Sequence, residues 1–267
     1  MQQRANRITA IATLVAAAAV GIGAFAALSV LAGDDGEPAA AASARAPAPA
    51  SAVPSAEPRS RMALDHPADA YAVIWVRRGR QVEIRTAPGG GDLVDRVDKR
   101  TEFGSPTVFG VVRRSGRWAG VSTPLLPNNR LGWIRLDRRR LRAGWTRVSI
   151  VVDLSERRAE LRRAGAAWRA FAVTIGAPGS ETPTGRFAVT DTLRGGLNPA
   201  YGCCALALSA TQPNAPSGWL GGRRIAIHGT SGPLGVAASL GCVRAADADV
   251  SELVSRVPLG TPVFIRA

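Results

Sequence analysis

Arg224-Ile-Ala-Ile-His-Gly-Thr-Ser-Gly-Pro-Leu-Gly-Val-Ala-Ala-Ser-Leu-Gly-Cys-Val-Arg244 gathers residue types that the rest of the chain hardly repeats. The sequence holds two histidines and three cysteines, and one of each, His228 and Cys242, falls in this stretch. Arg224 to His228 reads as a strand by its polar and apolar spacing, which places His228 at a strand end with Gly229 opening the turn that follows. Ser239-Leu-Gly-Cys242 predicts a tight turn, because Gly241 lets the backbone come close to a bound carbonyl. A thiol is a weak nucleophile at its ordinary pKa of about 8.5, and a neighbouring imidazole is the usual activator. His228 and Cys242 are therefore the pair on which a reading of the chemistry rests.

A second motif stands upstream, Thr182-Pro-Thr-Gly-Arg-Phe187, read as a turn entering a strand. Taken with Ile227-His-Gly-Thr230, Ser239-x-Gly-Cys-Val-Arg244 and Asp247-x-Asp249, it closely resembles the YkuD-type L,D-transpeptidases, which cross-link bacterial peptidoglycan. The resemblance covers about Trp145 to Ala267. It implies a cysteine-dependent acyltransferase in which Cys242 is the nucleophile, His228 the proton donor and acceptor, and the Gly229 carbonyl the group that orients His228. The partner would be a peptidoglycan stem peptide, cut through a thioester with release of D-alanine to give 3→3 cross-links.

The backbone N–H groups around Leu240, Gly241 and Cys242 are the expected oxyanion hole, with Gly241 at its centre. Arg244 follows the nucleophile by two residues and so projects to the same side of an extended segment. It either recognises a substrate carboxylate or pairs with Asp247 or Asp249. Thr230 and Ser239 are candidates for substrate binding or for closing the loop. No cofactor is expected, and no metal, since the histidines are distant and Cys203-Cys204 lacks ligand spacing. A water acceptor would make the enzyme an L,D-carboxypeptidase. Another wall-peptide cysteine hydrolase and a non-catalytic wall-binding protein are the remaining alternatives.

The net charge of +14 would suit a polyanion, but the arginines are scattered and Arg138-Arg-Arg140 has no aromatic residue interleaved. That pattern predicts a solvated or wall-facing surface and no nucleic acid. Ile8 to Ala32 carries no charge, and at about 1.5 Å per residue it is long enough for a hydrocarbon core of about 30 Å. Arg4 and Arg7 precede it and Asp34 and Asp35 follow, so residues 1–7 stay cytoplasmic and the remainder is exported to the outer face of the membrane and the wall. The segment 8–32 is a single-pass anchor or a cleaved signal. Residues 33–69 are Ala/Pro-rich and too poor in large apolar groups to order themselves.

The fold class expected is mainly β: a small SH3-like barrel over 70–141, then a β-rich catalytic domain over 145–267 with a short helix after the nucleophile. Short alternating runs separated by Pro88-Gly-Gly-Gly91, Ser115-Gly116 and Pro127-Asn-Asn129 give the barrel. Trp118 and Trp133 are either its core or a glycan- or peptide-binding face. Asp247 is the expected N-cap of the helix, whose apolar stripe is Val250, Leu253, Val254 and Val257. Thr261 to Arg266 is expected as a central last strand. Asn198 to Gly222 is expected to cover the site. Cys203 and Cys204 are placed on a strand with side chains to opposite faces, all three cysteines being thiols.

Overall fold

A computed structural model of the chain describes residues 62–214 and 222–267. The expected anchor at 8–32, the linker as far as residue 61 and the Trp219 part of the covering segment lie outside the described residues. Among the described residues no helix is long and apolar enough to cross a membrane.

The first sheet is antiparallel and holds β1 (Tyr71–Val76), β2 (Val82–Arg85), β3 (Leu93–Val97), β4 (Val108–Ser115), β5 (Trp118–Ser122), β6 (Leu131–Arg135) and β7 (Leu141–Thr146). They run side by side in the order β3-β2-β6-β5-β4-β1-β7. Their alternating apolar residues close over a core that includes Ile74, Ile84, Val121, Ile134 and Leu141. Met62 and Leu64 are buried in this same core, so packing begins inside the stretch expected to be linker. Their apolar side chains fill the sheet rather than trail in water. Trp133 is 5% exposed and belongs to the interior, with Arg113 set 5.4 Å from its ring centre. It is therefore not part of a ligand-binding face.

The second sheet comprises β8 (Val148–Asp153), β9 (Arg158–Arg163), β10 (Ala166–Ala172), β12 (Gly185–Leu193), β13 (Ala205–Thr211), β14 (Arg224–Thr230), β16 (Val243–Ala246) and β17 (Pro262–Arg266). Its order is β10-β9-β8-β17-β12-β13-β14-β16. β17 is central, parallel to β8 and antiparallel to β12. Two short strands, β11 (Ile175–Gly176) and β15 (Ala237–Ser239), pair in parallel, and Thr174, just before β11, bridges to Arg244 on β16. The one α-helix among the described residues, α1 (Asp247–Arg256), buries Val250, Leu253 and Val254 in the second core. Its N-cap is Ala246, without a side-chain cap bond, not Asp247. The Asp247 carboxylate accepts instead from the Cys203 N–H at 3.1 Å.

The two sheets share a polar seam. Asp191 on β12, fully buried, accepts from the Thr101 hydroxyl and lies 3.5 Å from Arg224. Arg224 also reaches Glu102, the Thr190 hydroxyl and, at 3.0 Å, the Leu208 carbonyl. Ser122 and Ser209 hydroxyls meet at 2.6 Å, and Asn128 is bonded twice to the Thr211 backbone. The seam matters for the site because Arg224 is the first residue of β14, the strand that carries His228.

Candidate active site

β14 and β16 run in parallel with Ile227 opposite Val243 and His228 opposite Arg244. Ile225, Ile227, Val243 and Ala245 belong to the core. Since successive side chains alternate across a strand, His228 and Arg244 point away from that core, on the other face. Cys242 immediately precedes β16, and the Arg244 charge acts on both its thiol and the His228 imidazole. The register thus sets His228 beside Arg244 on two neighbouring strands, with Cys242 at the start of the second.

His228 is 3% exposed. Its Nδ1 lies 2.8 Å from the Gly229 carbonyl, which accepts the Nδ1–H and leaves the second ring nitrogen as the basic one in the neutral ring. Burial pulls its pKa below the usual 6.5, and the Arg244 charge acts in the same direction. The Gly229 and Tyr201 carbonyls oppose this by favouring the protonated ring. Cys242 is a half-buried free thiol. Burial pushes its pKa up, against the pull of the Ala226 N–H and the Arg244 charge. At neutral pH the arrangement holds a neutral imidazole and a protonated thiol, so the sulfur must lose its proton as it reacts.

The turn before Cys242 is built by hydrogen bonds that the sequence motifs supply. Ser239, 1% exposed, donates its hydroxyl to the Cys242 carbonyl at 2.5 Å and accepts the Gly241 N–H at 3.1 Å. Ser239 thus closes the turn, one of the two roles expected of it, and the Gly241 N–H, expected at the oxyanion hole, is bonded to the Ser239 hydroxyl in this structure. Gly241 has φ of +102°, and a Cβ there would collide with the Gln212 amide. Thr182, from the upstream motif, donates its hydroxyl to the Gly241 carbonyl at 2.9 Å and accepts the Gly176 N–H at 2.9 Å. The two motifs are therefore one structure joined through a buried hydroxyl.

Arg244 has its backbone fixed on both sides, its N–H and C=O bonded to Thr174 at 2.9 and 2.8 Å. Its Nε is buried without a partner. Among the described residues it makes no ion pair: Asp249 holds Arg169 at 2.7 Å, and Asp247 holds Cys203. The expected alternative, an Arg244 pair with either aspartate, is not what forms. Thr230 is half-buried, and its hydroxyl oxygen accepts the Gly232 N–H at 3.0 Å.

Tyr201 lies in the segment expected to cover the site, though no motif in the sequence singled it out. It ends a 3₁₀ turn, Pro199–Tyr201, and sets its ring edge-on to His228 with centroids 4.8 Å apart. The signal for it was the glycine that follows. Gly202 has φ of +62°, and a Cβ there would strike the Gly229 backbone, so this glycine lets the segment press on the histidine strand. Cys203 and Cys204, expected as separate thiols on a strand, precede β13 and are joined to each other as a disulfide. Chain outside a strand does not alternate its side chains to opposite faces, which lets neighbouring sulfurs meet.

Residues 147–265 match the family model YkuD, described as the L,D-transpeptidase catalytic domain. The YkuD protein of Bacillus subtilis (strain 168) is 34% identical over 99 residues, 36% of this chain and 52% of its own length. That of Bacillus licheniformis is 31% identical over 118 residues, 43% of this chain and 64% of its own. The chain thus spans between about half and two thirds of the curated relatives it matches. Among solved structures, an L,D-transpeptidase from Mycobacterium smegmatis aligns with 53% of this chain and 76% of its own at 13% identity and a TM-score of 0.37. One from Enterococcus faecium aligns with 45% and 49% at 24% identity and a TM-score of 0.31. Residues 147–265 are thus similar to the L,D-transpeptidase catalytic domain of the YkuD family.

Proposed function

We propose that this chain is a cysteine-dependent L,D-transpeptidase that forms 3→3 cross-links between peptidoglycan stem peptides. The observation that carries the reading is the parallel register of β14 and β16, which pairs His228, its Nδ1 held by the Gly229 carbonyl, with Arg244, two residues after the free thiol of Cys242 and close enough for its charge to act on both groups. In the first half-reaction the Cys242 sulfur attacks the carbonyl of the third stem residue while His228 takes the thiol proton. The amide bond to the terminal D-alanine breaks, and His228 returns the proton to the departing amine, leaving a thioester. In the second, the side-chain amine of a neighbouring stem gives its proton to His228, attacks the thioester and restores the thiol.

The raised Cys242 pKa and lowered His228 pKa suit this order, since proton removal is deferred to the moment of attack. With the Gly241 N–H engaged, the Leu240 and Cys242 N–H groups are the donors left for the developing oxyanion. The unpartnered Nε of Arg244 is available to a stem carboxylate, and Thr230 ends β14, two residues beyond His228. Residues 70–141 are the candidate SH3-like module, and residues 8–32 the anchor or signal that exports the enzyme to the wall.

The test is incubation of the full-length chain with disaccharide tetrapeptides, followed by mass analysis. Release of D-alanine with 3→3-linked dimers, both lost in Cys242→Ala and His228→Ala, is the expected result. Release of D-alanine with tripeptide as the sole product makes water the acceptor. No release and no acyl adduct on Cys242 would sink the proposal.

A further inference from the structure

Away from this site, two tryptophans stand half out of the surface where the sheets adjoin. Trp145 on β7 is 45% exposed and Trp168 on β10 is 44% exposed. Both line one groove of about 410 Å³, together with Arg147, Val148, Arg163 and Arg256. The placement of Trp168 is a feature of the strand. In the pairing of β10 with β9, Ala167 faces Arg162 and Arg169 faces Leu161, so Trp168 is the extra residue of a bulge. Such an insertion turns a side chain out of the regular alternation, and bulges concentrate beside binding sites. The neighbouring Arg169 is bonded to Asp249 and Glu252 of α1, at 2.7 and 3.0 Å, which fixes the bulged strand against the helix.

Each indole carries a guanidinium over its ring, Arg147 at 4.8 Å from Trp145 and Arg256 at 4.6 Å from Trp168. No acidic residue lines the groove. Asp69 accompanies Arg147 at 2.9 Å and Glu252 accompanies Arg256 at 3.1 Å, while Arg163 has no acidic partner among the described residues. Two flat apolar rings set among cations match a ligand that alternates apolar ring faces with negative groups. A bilayer or a second protein copy asks for a broader continuous apolar patch. Guanidinium groups hold carboxylates through paired hydrogen bonds.

We propose that this groove docks a carboxylate-bearing polysaccharide strand, with pyranose C–H faces on Trp145 and Trp168 and carboxylates at Arg163 and its neighbours. Naming that polymer as wall glycan with its stem peptides rests on the proposed function; the groove itself does not. Its role is to hold the polymer so that stems reach His228 and Cys242.

The experiment is co-sedimentation of the full-length chain with insoluble peptidoglycan and with chitin, an uncharged polymer of similar rings. D-Alanine release is recorded in parallel. Removing both indoles, Trp145→Ala with Trp168→Ala, is expected to weaken binding to peptidoglycan about tenfold, two aromatic contacts' worth. Trp168→Tyr, which keeps an aromatic face, should restore most of the loss contributed by Trp168→Ala alone, and so separates docking from misfolding. Arg163→Glu is expected to weaken binding to peptidoglycan and leave chitin unaffected. Unchanged peptidoglycan binding in the double tryptophan variant, or in Arg163→Glu, overturns the proposal. Tryptophan-dependent binding without any D-alanine release would sink the transpeptidase reading and leave the groove standing.

Discussion

The Tyr201 ring meets the His228 imidazole edge-on, with centroids 4.8 Å apart and planes 64° apart, so the histidine is screened from water by a residue outside both motifs. Burial is the main reason that the His228 pKa falls below 6.5. Tyr201→Ala should therefore return it upward and shift the acid limb of the kcat/KM profile to higher pH. A limb that stays in place would show that Tyr201 does not control the desolvation. The folded pKa lies below the unfolded value, so the associated stability is complete above about pH 6.5 and is lost as pH falls from there through the folded value. Urea midpoints across that window should fall in step.

Arg244→Lys tests the unpartnered guanidinium. The variant should keep its melting temperature, because the fixed part of the residue is its backbone, bonded to Thr174. It should lose about 1.5–3 kcal/mol in kcat/KM, the range for hydrogen bonds to charged groups. Wild-type kinetics with a lowered melting temperature would assign Arg244 to the fold.

Gly241→Ala forces a side chain into left-handed backbone and against Gln212. A loss of about 1–3 kcal/mol in unfolding free energy is expected. Because the same turn holds Cys242, kcat should fall with it. Unaltered stability would show that the turn relaxes without cost.

Arg224→Ala leaves the fully buried Asp191 carboxylate without its cation. Removing one partner of a buried pair costs about 3–5 kcal/mol. Adding Asp191→Asn, which removes the stranded charge, should recover part of that loss. If the single variant unfolds at the wild-type denaturant concentration, the seam contributes nothing to stability.

Alkylation of the denatured chain without reductant should label one cysteine, Cys242, and label three after reduction, since Cys203 and Cys204 are joined. Three labelled residues before reduction would contradict the disulfide.

Much of this molecule was open to reading from periodicity. β1, β2, β5 and β6 stand where alternating runs and Gly/Pro/Asn turns put them, and Val250, Leu253, Val254 and Val257 are the buried stripe beside the second core. β7 was missed because Leu141-Arg-Ala-Gly-Trp-Thr146 has a glycine in its middle and an exposed tryptophan, which breaks the alternation. Met62 and Leu64 looked like linker because burial there is set by a sheet distant in sequence. The motifs marked the histidine and cysteine strands but not who touches whom. The Thr182 hydroxyl is bonded 59 positions away, to Gly241, and no local pattern encodes such a partner. Local pattern is equally silent on Tyr201, which reaches His228 through a chain reversal.

The central position of β17 governs how the second sheet assembles in time. Arg266 on β17 bonds Asp153, 113 positions earlier, at 3.0 Å, and β17 separates β8 from β12. Until Pro262–Arg266 is synthesised, β8 and β12 have no strand to join them, and β14, which bears His228, and β16, which follows Cys242, belong to half a sheet. Contacts this distant are slow to form and leave strand edges bare while they do. The nascent chain accordingly passes through an interval in which Cys242 is made but not yet housed. A protecting chaperone, or a delay in folding until the last strand is free, would matter most in that interval.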